Sequence, residues 1–130
     1  MRNYPQADFD ILKHILRFCN NIEQLFHRFG SDFTVFQNDM AFKDAVSMNI
    51  LQIGEIVGHL SEEYRNDTQT EIPWRSIKNM RNLFAHSYGT MNVETIWSTA
   101  VENIPQLKAF CLKQIESNDS DGFCEQEIDI

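Results

Sequence analysis

Apolar residues recur at three- and four-residue steps from near the start of the chain. Ile11, Leu12, Ile15, Leu16, Ile22, Leu25, Phe26 and Phe29 share one side of a helix of 3.6-residue period, with Asp8 placed to cap its start and Gly30 to close it. A short aromatic connector, Ser31 to Asn38, precedes a second long helix from about Asp39 to Tyr64, whose stripe is Phe42, Val46, Ile50, Ile53, Val57 and Leu60. Residues 65–71 are polar and turn-like. Pro73 then stands where proline is favoured, in the first turn of a helix predicted from Trp74 to Ser87, and Gly89 supplies its stop. Asn92 caps a further helix containing Val93, Ile96, Trp97 and Val101. Pro105 kinks that helix or begins a new segment, because it has no N–H to donate. Leu107, Phe110, Leu112 and Ile115 continue the stripe to about Ser117. No repeat and no useful strand alternation interrupts this pattern. It predicts an all-α, up-and-down bundle of four to five helices over residues 1–117, followed by an acidic, mobile tail over 118–130.

A length of 130 residues suits one domain, and 42% apolar content is ordinary for a globular chain. No stretch approaches the roughly 20 apolar residues of a membrane span, and the Met1-Arg2-Asn3-Tyr4-Pro5 start lacks the apolar core of a signal peptide. A cytoplasmic location is the expectation. Cys19, Cys111 and Cys124 are odd in number and have no Cys-x-x-Cys spacing, so they read as reduced thiols rather than a disulfide frame or zinc knuckle.

The net charge of −8 argues at first against a nucleic-acid partner. Its distribution changes that view. Six of the 19 acids (Glu116, Asp119, Asp121, Glu125, Glu127 and Asp129) follow Lys113, the last basic residue, and residues 1–115 hold 13 acids against 11 bases. Between Glu71 and Glu94 there is no acid, while Arg75, Lys78 and Arg81 lie there. This basic island permits contact with RNA through Arg75 and Lys78. The tail reads as a solubilising extension; a sharper alternative has it fold over the island as an RNA mimic.

Within the island, the run Arg81-Asn82-Leu83-Phe84-Ala85-His86-Ser87-Tyr88 carries the chemistry. At about 100° per residue, Asn82 and His86 overlay, Arg81 and Tyr88 share a neighbouring face, and Ile77, Met80, Leu83 and Phe84 fall opposite. A guanidinium holds two phosphate oxygens at once, and an imidazole moves protons near neutral pH. That pairing suits an anionic substrate. His14, His27 and His59 are scattered, and no pair of them has metal-ligand spacing, so a site needing neither metal nor cofactor is expected.

The order Arg, four residues, His, one residue, Tyr resembles the signature of HepT-like proteins in the HEPN superfamily, small all-helical ribonuclease toxins of prokaryotes. Gln52-Ile53-Gly54-Glu55 upstream, Ile72-Pro73-Trp74 leading in, and Trp97 and Pro105 downstream resemble its other landmarks, from about Asp8 to Ser117. The resemblance implies an endoribonuclease toxin of a toxin–antitoxin pair, with Arg81 and His86 catalytic. His86 would serve as acid and base for attack by a 2′-hydroxyl, and Arg81 would stabilise the phosphoryl charge. It also implies a homodimer that brings a second Arg81 and His86 to the same cleft. Tyr88 falls where the family tyrosine receives an adenylyl group from a nucleotidyltransferase antitoxin, which would make this a phosphoprotein.

Each residue also has a plainer role open to it. Arg81 can be a structural partner of Glu55, Glu55 either orients Arg81 or is merely solvated, Asn82 either supports the imidazole or is a solvated amide, and Tyr88 can simply pack the helix end. Gly54 and Gly58 mark a face where another backbone comes close, either a dimer seam or the Arg81 helix. Trp74 and Trp97 read as core rather than as base-stacking platforms. The alternative function is a non-catalytic helical partner of a nucleotidyltransferase that binds nucleotide or RNA without cutting it; a third is a helical scaffold with no ligand.

Overall fold

The computed structural model describes the backbone of residues 4–129 and the side chains of residues 4–118, so the acidic residues from Asp119 onward lie outside the described side chains. Seven α-helices and no strand occur among the described residues: α1 (Gln6–Phe29), α2 (Phe33–Asn38), α3 (Met40–Val57), α4 (Glu62–Thr68), α5 (Trp74–Ser87), α6 (Val93–Ser98) and α7 (Ile104–Asp129). The long helices α1, α3, α5 and α7 build the bundle expected from the apolar stripes. α1 packs against both α3 and α7, and α5 lies against α3.

Three helices begin or end differently from the sequence expectation, α7 running on to Asp129 where an end near Ser117 is expected. α1 starts at Gln6 behind Pro5, so Asp8 is not its cap. Asp8 is instead buried, 2% exposed, and its carboxylate accepts hydrogen bonds from the Ser61 N–H at 2.7 Å and the Ser61 hydroxyl at 2.6 Å. That contact explains a further difference. The helix predicted through Tyr64 stops at Val57, because Ser61 is pulled out as the cap of α4, its hydroxyl accepting from the Tyr64 N–H. Leu60 and Tyr64 stay on the core side of the break, both buried, and this is why the apolar spacing runs through it unbroken.

The aromatic connector contains a helix of its own. Asp32 accepts from the N–H groups of Thr34 and Val35 and starts α2, which is too short for periodicity to reveal. It delivers Phe36 into an aromatic cluster with Phe26, Phe42 and Trp97, at centroid separations of 5.0–6.5 Å. Gly30 closes α1 as predicted, at φ +94°. Gly89 plays no such part: it lies inside a 3₁₀ turn, Tyr88–Thr90, without a positive φ. Asn92 caps α6 as expected. Before Pro105, the segment Thr99–Asn103 widens into a π-turn whose Ile104 N–H reaches Thr99 O, and the helix passes through it without a break, so the proline that lacks an N–H sits directly after the widened turn.

The core draws on every long helix. Leu12, Ile15, Phe42, Val46, Ile53, Leu107 and Phe110 are among the buried side chains, each stabilising by about 1.5–3 kcal/mol where fully enclosed. Cys19 and Cys111 are free and buried, and burial pushes the Cys19 thiol up to about 12, so it remains a neutral packing group. Replacing Asp8 by Ala strips the Ser61 N–H and hydroxyl of their acceptor in a dry setting. A loss of about 2–4 kcal/mol is expected in urea unfolding; a change within error would show that water takes over the carboxylate's place.

Candidate active site

α5 gathers the candidate residues. It turns Phe84 into the core, with Ile77 and Met80 half-buried, and sets Arg75, Lys78, Asn82 and His86 on its exposed side. Leu83, expected on the buried side, is 47% exposed. It precedes Phe84 by one residue, about 100° around the helix, which carries it past the edge of the contact with α3.

α3 and α5 meet at one close crossing. A Cβ on Gly54 would stand 2.4 Å from Cβ and 3.2 Å from Cα of Arg81, so the crossing needs a glycine. Gly54 thus makes the contact with the Arg81 helix, whereas Gly58 has near it only the Glu55 carbonyl of its own helix. Glu55, the next residue, accepts from Arg81 Nε at 2.7 Å. Their side chains are 44% and 33% exposed, so this ion pair adds less than about 1 kcal/mol. Its effect is to orient. Arg81 Nη1 also donates to Asn82 Oδ1 at 3.1 Å, which turns Asn82 toward the guanidinium rather than toward His86. Of about five guanidinium N–H donors, those two are engaged among the described residues, and the side chain is one-third exposed.

His86 is exposed and has no hydrogen-bond partner among the described residues. It lies five positions after Arg81, which on a helix means about 140° of arc and about 7.5 Å of rise. Arg81 therefore occupies the flank held by α3, and His86 the open flank. Tyr88 is half-buried in the turn after α5, its ring stacked on Phe84 at 6.1 Å and its hydroxyl donating to Asp44 of α3. Burial, and then the Asp44 carboxylate, hold its phenol above the ordinary range, so it stays protonated at neutral pH. Asp44 precedes Glu55 by eleven residues, about 16 Å along α3. Arg81 and Tyr88 share the α3-facing side of α5, yet they engage α3 at separate points.

Two groups escaped the sequence reading. Asp44, with Ser47, Met48, Leu51, Phe84 and Tyr88, lines a shallow pocket of about 280 Å³. Arg65 on α4 joins Arg75 and Lys78 around a polar recess at the start of α5. Neither has a spacing signal, since each is brought to α5 from another helix by the fold. Trp74 is buried and donates to Thr68 Oγ1 at 2.8 Å, while Trp97 is half-buried among Phe26, Phe33 and Phe36; both serve the core. His14, His27 and His59 are exposed and apart from the site. Among the described residues no three His, Cys, Asp or Glu side chains converge as a metal site requires, and no helix is long and apolar enough to cross a membrane.

Comparison with known proteins places this geometry. The family model "Ribonuclease HepT-like" matches residues 15–114, a span that holds α3, α5 and the whole Arg81–Tyr88 run. A Caldanaerobacter subterraneus protein named "Putative RNase TTE0752" is 35% identical over 98 residues, covering 75% of this chain and 84% of that relative. "Probable ribonuclease HepT" of Thermococcus cleftensis is 32% identical over 81 residues, covering 56% of this chain and 74% of that protein. A Methanocaldococcus jannaschii protein, "Putative RNase MJ1216", is 29% identical over 120 residues, covering 88% and 91%. No solved structure matches the chain. The chain belongs to the HepT-like ribonuclease family, a class of endoribonuclease with this all-α build.

Gly54→Ala tests the crossing on which Arg81 depends. The added methyl must displace Arg81 or part the two helices, at about 1–3 kcal/mol read from the urea midpoint. An unchanged midpoint would mean that the helices have room to spare.

Proposed function

We propose that this protein is a metal-independent endoribonuclease acting as the cytoplasmic toxin of a toxin–antitoxin pair, with Arg81 and His86 as its catalytic residues. A 2′-hydroxyl of the RNA gives up its proton and its oxygen attacks the adjacent phosphorus. The bond to the 5′-oxygen breaks, that oxygen takes a proton, and the products are a 2′,3′-cyclic phosphate and a 5′-hydroxyl. His86 exchanges the protons. The outward edge of Arg81, held in direction by Glu55 and Asn82, meets the non-bridging oxygens as their charge grows.

One observation supports this reading above the others: Arg81 is fixed on one flank of α5 while His86 stands free on the opposite flank. A single chain does not aim both groups at one phosphorus, and general acid–base catalysis depends on such aim. A two-fold homodimer resolves the difficulty, because a second copy brings its own Arg81 and His86 to the same cleft and gives one imidazole for each proton transfer. Exposed Met48 on α3, at 54%, and Leu83 on α5, at 47%, offer apolar surface on the same two helices for that contact.

Tyr88 is the proposed site of adenylylation by a partner nucleotidyltransferase. The modification requires the hydroxyl to leave Asp44, and the adduct then places a bulky anion on the α3-facing side that also carries Arg81. Inhibition follows from blocked phosphate binding.

In EDTA, the purified protein is expected to cleave RNA, with His86→Ala and Arg81→Ala each slower by about 10²-fold or more. Equal cleavage by all three, or none after removal of any adenylyl group, would favour a non-catalytic nucleotide- or RNA-binding partner of a nucleotidyltransferase instead. Intact mass after co-expression with that partner should show an adduct that Tyr88→Phe lacks. Sedimentation of the unmodified protein as a monomer at assay concentration would defeat the shared cleft.

A further inference from the structure

The recess between α4 and the start of α5 encloses about 430 Å³ and is lined by polar side chains. Arg65 enters from α4, and Arg75 and Lys78 from α5, with Asn66 and Gln69 between them and Glu62 as the one carboxylate in the lining. None of the three cations is ion-paired among the described residues. Arg65 Nε is buried and has no hydrogen-bond partner, a state uncommon for an N–H in native proteins. Three like charges in one concavity repel each other, and the indole of Trp74 in its wall excludes water and strengthens that field. An anion seated among the three cations relieves that repulsion. α5 also begins at Pro73 without a side-chain cap; the Trp74 N–H bonds Ile72 O at 2.9 Å, which leaves the N–H groups of Arg75 and Ser76, two residues of the lining, without an acceptor inside the helix.

The walls are held in register from within. Thr68 Oγ1, at the end of α4, donates to Tyr64 O at 2.7 Å and accepts from Trp74 Nε1, in the first turn of α5, at 2.8 Å. Arg65 and Arg75 therefore project from two helices that are tied together at the base of the recess. Along α5, Arg75, Lys78, Asn82 and His86 are all exposed and fall within about 80° of arc. From Arg75 to His86 the helix rises about 16 Å, too far for one phosphate to touch both.

We propose that this recess is a second phosphate site, which holds the backbone of single-stranded RNA whose scissile phosphodiester lies at His86. The proposal rests on the ribonuclease reading above and extends it: Arg65, Arg75 and Lys78 grip a different phosphate of the same strand through charge, without reading its base. The strand lies along the exposed stripe of α5, with its reacting phosphate at one end and an anchoring phosphate at the other.

Short all-U and all-A oligonucleotides carrying 2′-O-methyl groups bind without offering the attacking hydroxyl, so wild-type protein can be titrated by fluorescence anisotropy across a range of KCl. Arg65→Gln and Arg75→Gln should each lower affinity about three- to tenfold at low salt, equally for both sequences, and reduce the slope of log K against log salt by about 0.7. Unchanged slopes and affinities in both variants would overturn the proposal, and so would a loss confined to one base. Arg75 is exposed, so its variant keeps the test decisive if Arg65→Gln unfolds. Cleavage of unmodified RNA by the wild type is scored separately: a protein that cuts RNA while both variants bind normally loses only the recess. One that never cuts RNA loses the mechanism, and the salt slopes still decide the recess.

Discussion

The approach of α5 to α3 at Gly54 is the constraint from which the rest of the site follows. Contact this close fixes the Arg81 backbone against α3, and the neighbouring Glu55 carboxylate then fixes the guanidinium. With Arg81 pinned, the helical turn decides the other positions: Phe84 goes to the core, Tyr88 back to α3 at Asp44, and Asn82 and His86 away from the bundle. A side chain in place of that hydrogen would change the direction of every one of them. The glycine's helical penalty of about 1 kcal/mol is small beside the packing it permits.

The Arg81–Glu55 pair weakens as well as organises. A carboxylate touching the guanidinium partly offsets the charge that the proposed mechanism sets against phosphate, and a stronger field would come from Arg81 alone. A free arginine, however, would lose side-chain entropy of about 2 kcal/mol on binding, and would present its fork in many directions. Because the pair is part-exposed, solvent screens the Coulombic attraction while the hydrogen-bond geometry persists. The result is an arginine with one edge committed and the other available. Local arrangement of this kind also explains how a chain of net charge −8 suits an RNA substrate: the acids are concentrated elsewhere, and the 72–93 stretch carries only cations.

The long helices were legible because burial leaves a periodic trace. The stripes of α1, α3 and α7 followed from it, Pro73 marked the start of α5, and the Arg81–Tyr88 run stood out because its residue types suit phosphate chemistry. What stayed hidden depends on contacts between distant positions. Asp8 looks like a cap in sequence and becomes a buried acceptor only once Ser61 lies beside it. The same contact splits one expected helix into α3 and α4, although Leu60 and Tyr64 keep the apolar rhythm across the break. Leu83 shows the limit of assigning a helix face by hydrophobicity, since an apolar residue at the rim of a contact faces solvent in a single chain. Asp44 and Arg65 carry no local pattern at all, and only the packing of α3 and α4 on α5 reveals them.

Freedom at His86 and restraint at Arg81 have opposite physical consequences. An exposed imidazole without a partner samples many rotamers, and each lowers the fraction poised for proton transfer; a restrained arginine has already lost that freedom. The chain by itself thus presents a restrained guanidinium and an unrestrained imidazole. In the proposed mechanism, ordering of His86 comes from what docks on the open flank of α5, RNA or a second subunit. Apolar Leu83, 47% exposed on that helix and three positions before His86, gives a protein surface something to bury there, which a polyanionic strand would not do. The exposed leucine therefore suits a protein surface, such as the second subunit proposed above, better than a nucleic acid, and leaves the polar stripe beside it for the proposed RNA path.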